Sequence, residues 1–504
     1  MCVIETVRRL HIMDQFEPSS VAIRSGHFIG GEWIDQRTAQ RDVVRPSDGA
    51  AYASVPIADA QTVDRAVDNA SRAYRESGWP RMAPRERARV LRRFAELIAA
   101  DAGTLAPLEA IGSTRPIREA CTWDVPFTSE GIRFYAEFAD KVGGELVATD
   151  HDHLGMTIAE PYGVVAAIAP WNFPLVMASW KIGPALAAGN AVVVKPSEMT
   201  PFSVLRLAEL AIEAGIPAGI FNVVQGDGAT TGDALVRHPG IAKVTFTGST
   251  RAGAQIMAAC AESGTKPLTL ELGGKSPQLV FADAPKIDEV AHRIARAISS
   301  NAGQVCVAGS RLLVQRAVAE ELVERIGQAF AALRAGATWA AGTTLPPIVS
   351  EAQAARIEAI VERSAAQGAV VRCGGRRADA AVPGAFYLPT ILTDVTPQTE
   401  AVRAEIFGPV LTVQTFETEE EALALASHPD YGLAAGVHTA DIGRALRLVR
   451  ALEAGTVWVN RYGRTNDFAM PTGGYKRSGI GKDLGRLGYE AHLRFKSVLI
   501  DTRS

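Results

Sequence analysis

The sequence predicts an α/β protein built from two halves, and three observations carry that prediction. From AVVVKP at Ala191 to KVTFTG, ending at Gly248, short apolar runs rich in β-branched residues alternate with helical stretches, which is how parallel βαβ units read in sequence. The same alternation restarts after Ser276 and reaches VLTVQTF at Val410. At 504 residues the chain is long enough for more than one core of ordinary size.

Taken in order, FIGGEW (from Phe28) is a turn-rich opening, and strand-like residues follow around Ala51 to Val55. After Asp59, Val63, Ala66, Val67, Ala70, Ala73 and Tyr74 recur at three and four residues and mark one buried helical face. A second helix is expected from Pro84, through Leu91, Phe94, Leu97 and Ile98, because proline is tolerated in a first turn. The stretch 147–170 reads as a hairpin followed by a buried strand. Then come AVVVKP, a helix over 203–214, FNVVQG, a helix over 230–236, and KVTFTG before a further helix.

In the second half, PQLVFAD precedes a helix whose Val290, Ile294, Ala297 and Ile298 share a face. ISSNAGQVCVAGSR (from Ile298), LLVQ, a long alanine-rich helix and VLTVQTF follow. The join between the halves falls near 271–276, and no fixed-period repeat or long low-complexity tract appears.

Composition narrows the class. Hydrophobic residues make up 47% and charged residues 21%, as in globular proteins, and 52 Lys+Arg against 55 Asp+Glu leave a formal charge of −3. No overall field draws the chain to nucleic acid or an anionic membrane, so neither partner is expected. Five scattered cysteines, Cys2, Cys121, Cys260, Cys306 and Cys373, lack zinc-site spacing, so no metal is expected. Their sparse, odd count points to a reducing compartment. The opening MCVIETVRRLHIMDQFEPSS lacks the apolar core of a secretory signal, and no run approaches the ~20 apolar residues that span a bilayer, so a cytoplasmic location is expected.

Five stretches carry chemistry. In VTFTGSTRAG, Gly248 permits close backbone approach at a helix start where free amides suit a pyrophosphate, although glycine turns join strand to helix in many proteins. In VVVKPSE, Lys195 and Glu198 follow a strand, as ribose contacts or as solvated loop charges. Glu271 in TLELGGKSP is a carboxylate among leucines, whose pKa burial would raise toward that of a general base; the alternative is a pairing with Lys275. Asn172, in IAPWNFPLVMASWK, offers an amide on a rigid backbone, as an oxyanion donor or as a cap for the helix that follows. Cys306, in a run of small residues, is either a buried structural thiol or a nucleophile.

Together PWNFP, FTGST, ELGGKSP, GQVCVAGSR, EIFGPV and the tail NRYGRTNDFAMPTGGYKRSGIGKDLG resemble the NAD(P)-dependent aldehyde dehydrogenase superfamily, in the same order, from about Phe28 to Lys496. The resemblance implies a Rossmann-like NAD-binding domain over 24–141 and 164–273, an α/β catalytic domain over 274–487, and a small β oligomerisation arm from 142–163 and 488–504. It implies Cys306 as nucleophile, Glu271 as general base and Asn172 as oxyanion donor. Lys195 and Glu198 would touch ribose, Gly248 and Ser249 the cofactor loop, and Glu405 with Phe407 the nicotinamide riboside. Ile168, Trp171, Ser197, Gly228, Phe246 and Thr247 would complete the cofactor site, with Lys181 near the reacting centre.

The expected reaction is oxidation of a small-molecule aldehyde to the acid, through a cysteine thiohemiacetal, hydride transfer and thioester hydrolysis. Glu198 favours NAD, since a carboxylate near the ribose 2′-hydroxyl repels a 2′-phosphate, with NADP possible. Phe173, Met177, Trp180, Val305 and Val307 are expected to wall the substrate pocket. Arg461 and Arg464 either anchor a substrate carboxylate or are surface charges. Thr472 stands where the family usually has an aromatic. A homodimer or homotetramer is expected. The rivals are a CoA-acylating relative, a catalytically silent binding or structural member of the fold, and a Cys/His hydrolase.

Overall fold

The computed structural model describes residues 16–35, 39–379 and 383–503. The reading of the chain's first fifteen residues, Cys2 included, lies outside the described residues.

The strands Val164–Ile168, Ala191–Lys195 and Lys243–Thr247 are buried at every position. Their continuous apolar character follows, because a parallel sheet is covered on both faces. The first sheet runs, in spatial order, Glu32–Ile34, His27–Ile29, Phe221–Val223, Ala191–Lys195, Val164–Ile168, Lys243–Thr247, Leu268–Glu271 and Gly479–Ile480. Its five central strands are mutually parallel, and antiparallel pieces close both edges. Chain order reverses at Val164–Ile168, the arrangement of a doubly wound sheet. The turn-rich FIGGEW is the hairpin at one edge.

The second sheet runs Val370–Cys373, Thr390–Thr393, Val410–Phe416, Arg311–Gln315, Pro277–Val280, Ala434–His438 and Thr456–Val459. All but the first strand are parallel. A third, antiparallel sheet joins Leu493–Asp501 to His153–Pro161 over nine register pairs and adds Leu146–Val147.

Asp59 caps the helix Ala60–Glu76 by accepting from the Thr62 N–H at 2.8 Å, and Val63, Ala66, Val67, Ala70 and Ala73 are its buried face, as the spacing predicts. The helix expected from Pro84 spans Pro84–Ala100, and the one expected over 203–214 spans Phe202–Glu213. The expected helix over 230–236 opens instead on a widened turn at Gly228–Gly232, then continues as Asp233–Arg237. The helices Ala102–Gly112 and Val125–Phe138 are buried on so many sides that no single apolar stripe marks them in sequence.

Candidate active site

The first sheet presents the carboxyl ends of its strands to the site. Trp171, Lys195, Gly248 and Glu271 lie at or just beyond the ends of Val164–Ile168, Ala191–Lys195, Lys243–Thr247 and Leu268–Glu271, around the point where strand order reverses. The second sheet contributes from the opposite polarity: Cys306 and Glu405 sit on segments that lead into the amino ends of Arg311–Gln315 and Val410–Phe416. The two halves meet at Gly273 and Gly274. The Gly274 N–H donates to Glu405 Oε1 at 3.1 Å, and a Cβ at Gly273 would lie 2.2 Å from Glu405 Oε2. At Gly274 it would lie 2.7 Å from the Cys306 carbonyl oxygen. Gly274 is therefore required by close approach of the segment bearing Cys306, and Gly273 by that of the Glu405 carboxyl.

Cys306 follows three consecutive left-handed residues, Asn301 (φ 49°), Ala302 (φ 51°) and Gly303 (φ 72°). Two of them carry a Cβ, so the turn is strained and persists because its surroundings hold it. The Thr114 hydroxyl donates to Asn301 Oδ1 at 2.7 Å, and Asn301 Nδ2 donates to the Asn172 carbonyl at 3.0 Å. Gln304 Nε2 donates to the carbonyls of Asn301 and Pro347, while its Oε1 accepts from the Val349 N–H.

Asn172 Nδ2 donates to the Gln304 carbonyl at 3.0 Å. The following helix, Pro174–Ala187, has Phe173 at its cap position and no side-chain cap bond, so Asn172 is not serving as a cap. One amide hydrogen of Asn172 is thereby committed to aiming the group and the other is left for a ligand. Among the described residues the Cys306 N–H has no hydrogen-bond partner. Sequence reasoning left Thr114, Asn301 and Gln304 without roles. The only signal for the last two was polar amides inside a run of small residues.

Burial pushes the Glu271 carboxyl up to about 8, reinforced by Asp483 and opposed by Lys181, Lys482 and Arg464. Its Oε1 has no hydrogen-bond partner among the described residues. The alternative pairing with Lys275 is not formed: Lys275 Nζ is itself buried without a partner, and burial brings it down to about 7. Burial also pushes the Cys306 thiol up to about 12, with Glu271 and Glu405 adding to the rise; the Val307 N–H and Arg464 pull it down. Lys181 is fully buried, 3.0 Å from Asp483 Oδ2 and 3.2 Å from Thr245 Oγ1, which fixes its ammonium beneath the site.

The cofactor side is equally built. Lys195 is buried, not solvated; its Nζ donates to the carbonyls of Pro196 (2.9 Å) and Gly226 (2.7 Å) and lies 3.6 Å from the half-exposed Glu198. Ser197 Oγ accepts from the Met199 N–H, and Ser249 Oγ caps the helix Thr250–Glu262 by accepting from Ala252 N–H. Gly248 donates to the Glu271 carbonyl at 3.0 Å, tying the glycine turn to the strand that bears the carboxyl. Phe246 is tucked beneath Gly248, and Ile168 ends the central strand. Gly228 is exposed at the widened turn after Asp227. Trp171 and Phe407 meet edge to face at 5.4 Å. Thr247 Oγ1 and Thr250 Oγ1 are buried with no partner among the described residues. A helix start, two orphaned hydroxyls and a lysine–carboxylate pair at a switch point fit a dinucleotide.

Phe173, Met177 and Trp180 are buried on the loop and helix that follow Asn172, and Val305 and Val307 flank Cys306 with partial exposure. Trp123 joins them, edge-on to Phe173 at 5.7 Å and stacked on Phe127 at 4.8 Å; no local pattern in the sequence reveals it. The two arginines separate. Arg461 is exposed and its Nη2 donates within its own loop, to the Gly463 carbonyl and Thr465 Oγ1, so the structure does not bring it to the site. The Arg464 side chain is 9% exposed and lies over the Trp180 ring. Thr472 is buried and exchanges backbone bonds with Asp483. A cavity of about 170 Å³ lined by Lys275, Arg311, His428 and Lys476 contains none of the predicted side chains. Among the described residues no group of three or more His, Cys, Asp or Glu is placed to hold a metal ion, and no helix is long and apolar enough to cross a membrane.

This is a doubly wound α/β fold joined to a second parallel sheet, with a cysteine, a glutamate and an asparagine gathered beside a dinucleotide crevice. Residues 33–498 match the aldehyde dehydrogenase family, and the chain belongs to that family. It is 41% identical over 482 residues to the NADP/NAD-dependent aldehyde dehydrogenase PuuC of Escherichia coli K12, covering 95% of this chain and 96% of that one. It is 42% identical to betaine aldehyde dehydrogenase of Cereibacter sphaeroides, covering 94% and 97%. Among solved structures, indole-3-acetaldehyde dehydrogenase complexed with NAD+ superposes with a TM-score of 0.94 at 41% identity, covering 96% of this chain and 98% of that one. Gamma-glutamyl-gamma-aminobutyraldehyde dehydrogenase from Burkholderia cenocepacia J2315 does so with 0.94 at 41%, covering 99% of both. The protein is an enzyme that oxidises aldehydes with NAD(P) as acceptor.

Proposed function

We propose that Cys306, Glu271 and Asn172 perform this oxidation and that its product is the free carboxylic acid. The observation that carries the reading is the hydrogen bond from Asn172 Nδ2 to the Gln304 carbonyl, which holds an amide beside the turn bearing the thiol. Cys306 releases its proton to solvent, and Sγ attacks the aldehyde carbon as the thiolate. The resulting oxyanion accepts from the second Asn172 amide hydrogen and from the Cys306 N–H, donors aimed before charge develops. When bound, the dinucleotide supplies a cationic nicotinamide that takes up the hydride, leaving a thioester on Cys306. Lys195 and Glu198 would hold one ribose, Gly248 and the amides at the start of Thr250–Glu262 the pyrophosphate, and Glu405 with Phe407 the other ribose.

Glu271 then takes a proton from water, which attacks the thioester carbon and releases the acid and the thiol. A carboxyl held up near 8 is matched to this work at neutral pH. That carboxyl supports water, not CoA, as the acyl acceptor. The half-exposed Glu198 beside Lys195 supports NAD over NADP.

The chain divides, on this reading, into a cofactor-binding part (24–141 and 164–273), a catalytic part (274–487) and an arm (142–163 and 488–504) through which copies assemble as a dimer or tetramer. A cytoplasmic location accords with the sparse cysteines and balanced charge. The test is Cys306→Ala: aldehyde-dependent NADH formation should vanish while NAD+ still binds, and wild-type turnover in this variant would refute the assignment.

A further inference from the structure

Arg464 is a guanidinium whose side chain the fold has largely buried against only a long ion pair. Its side chain is 9% exposed and lies with its charge 5.6 Å from the Trp180 ring centroid, on the wall built by the helix that follows Asn172. The nearest carboxylate, Asp467 Oδ1, is 3.8 Å away and already accepts from the Thr465 N–H. Among the described residues, the single hydrogen-bond acceptor it reaches is the Met470 carbonyl, at 3.4 Å from Nη1. Among the described residues neither Nε nor Nη2 has a partner.

A buried cation left with open donors is unfavourable unless something completes it. Arg464 is not a loose surface charge. Four residues on, Phe468 is buried against Phe127 (ring centroids 4.4 Å apart) and Phe134 (6.1 Å), which pins the loop to the helix Val125–Phe138. The guanidinium also lies near enough to Cys306 and Glu271 to act electrostatically on both. Arg461, on the same loop, satisfies itself locally and faces outward.

Resting on the reading of Cys306 as nucleophile, we propose that Arg464 is a specificity-determining residue that receives a carboxylate at the far end of the aldehyde, which makes the preferred substrates short ω-oxo carboxylic acids. The planar Nε/Nη2 edge presents two parallel donors, the geometry that suits a carboxylate. The Trp180 ring beneath it, on the same buried helix as Met177, offers an apolar wall for the hydrocarbon between the two ends and strengthens the ion pair by excluding water. The oxidation itself is unchanged; the carboxylate only orients the chain so that its aldehyde end meets Cys306.

The experiment compares 4-oxobutanoate with its methyl ester, which keeps the chain and removes the charge, using the full-length enzyme with NAD+. The wild type should favour the acid by at least about tenfold in kcat/KM. Arg464→Gln should shrink the acid-to-ester ratio of kcat/KM roughly 10- to 100-fold, through KM for the acid, the scale of a charge-assisted pair; the ratio cancels any effect on Cys306 and Glu271 that both compounds share. Arg464→Lys should restore part of the difference. Equal wild-type use of acid and ester overturns the proposal, and so does an Arg464→Gln variant that slows both alike, since that is the mark of a cation serving only the thiol and Glu271. Should the glutamine variant fold poorly, the wild-type ratio decides alone. Oxidation of propanal without oxidation of either four-carbon compound sinks the carboxylate site and leaves the function standing, whereas a wild type inert toward every aldehyde sinks the function itself.

Discussion

Glu271 shows how one side chain is set against the fold that holds it. Its carboxyl titrates about 8 in the folded protein against an ordinary 4.5. Between those values the unfolded chain has released the proton and the folded chain has kept it, so this group makes stability fall as pH rises through that window. Glu271→Gln should therefore raise Tm above the wild type by a margin that grows from about pH 5 to about pH 8. The same variant should keep the first-turnover burst of NADH and stall afterwards; loss of the burst would place Glu271 before hydride transfer. Asn172→Ala should slow turnover roughly 10²- to 10³-fold with intact NAD+ binding, the scale of one oxyanion donor, and a rate within about threefold of wild type would remove it from that role. Cys306, Glu271 and Asn172 were legible as candidates because each sits in a distinctive motif. Arg461 and Arg464 were not separable, because their burial depends on where Phe468 docks, and nothing local encodes that.

At the scale of elements, the turn before Cys306 stores backbone strain. A Cβ at Gly303 would stand 2.2 Å from the Gly408 carbonyl oxygen while φ is +72°, so neither space nor backbone admits alanine. Gly303→Ala should cost about 2 kcal/mol or more and depress activity beyond its effect on Tm, measurable by thermal melts beside single-turnover rates. Strands were the readily legible elements here, since valine-rich runs buried on both faces have no rival interpretation. Ala102–Gly112 and Val125–Phe138 were harder because burial on many sides erases helical periodicity. Their contribution is nonetheless direct: the segment after the first supplies Thr114 to the turn before Cys306, and the second anchors the Arg464 loop.

Over the whole molecule, the third sheet ends in Leu493–Asp501, a nine-residue strand bonded on one side only and carrying exposed Phe495, Leu499 and Ile500. A long apolar edge of this kind invites pairing with another chain. If copies assemble through this edge as proposed, Phe495→Asp with Leu499→Asp should lower the mass in light scattering to that of a monomer, and a multimeric mass left unchanged would place the interface elsewhere. The number of sheets and their polarity were implied by the two rounds of βα alternation. Which strands close the edges was not, because pairing between residues hundreds of positions apart leaves no periodic trace.

Gly479–Ile480 is the sharpest instance. It pairs antiparallel with Leu270 and Glu271, and the Leu272 N–H donates to the Ser478 carbonyl, so the last strand of the first sheet comes from the far side of the second. On the ribosome, the strand bearing Glu271 must wait with a raw flank until translation has passed Ile480. The two halves therefore cannot mature one after the other; the site closes only when nearly all of the polypeptide has emerged.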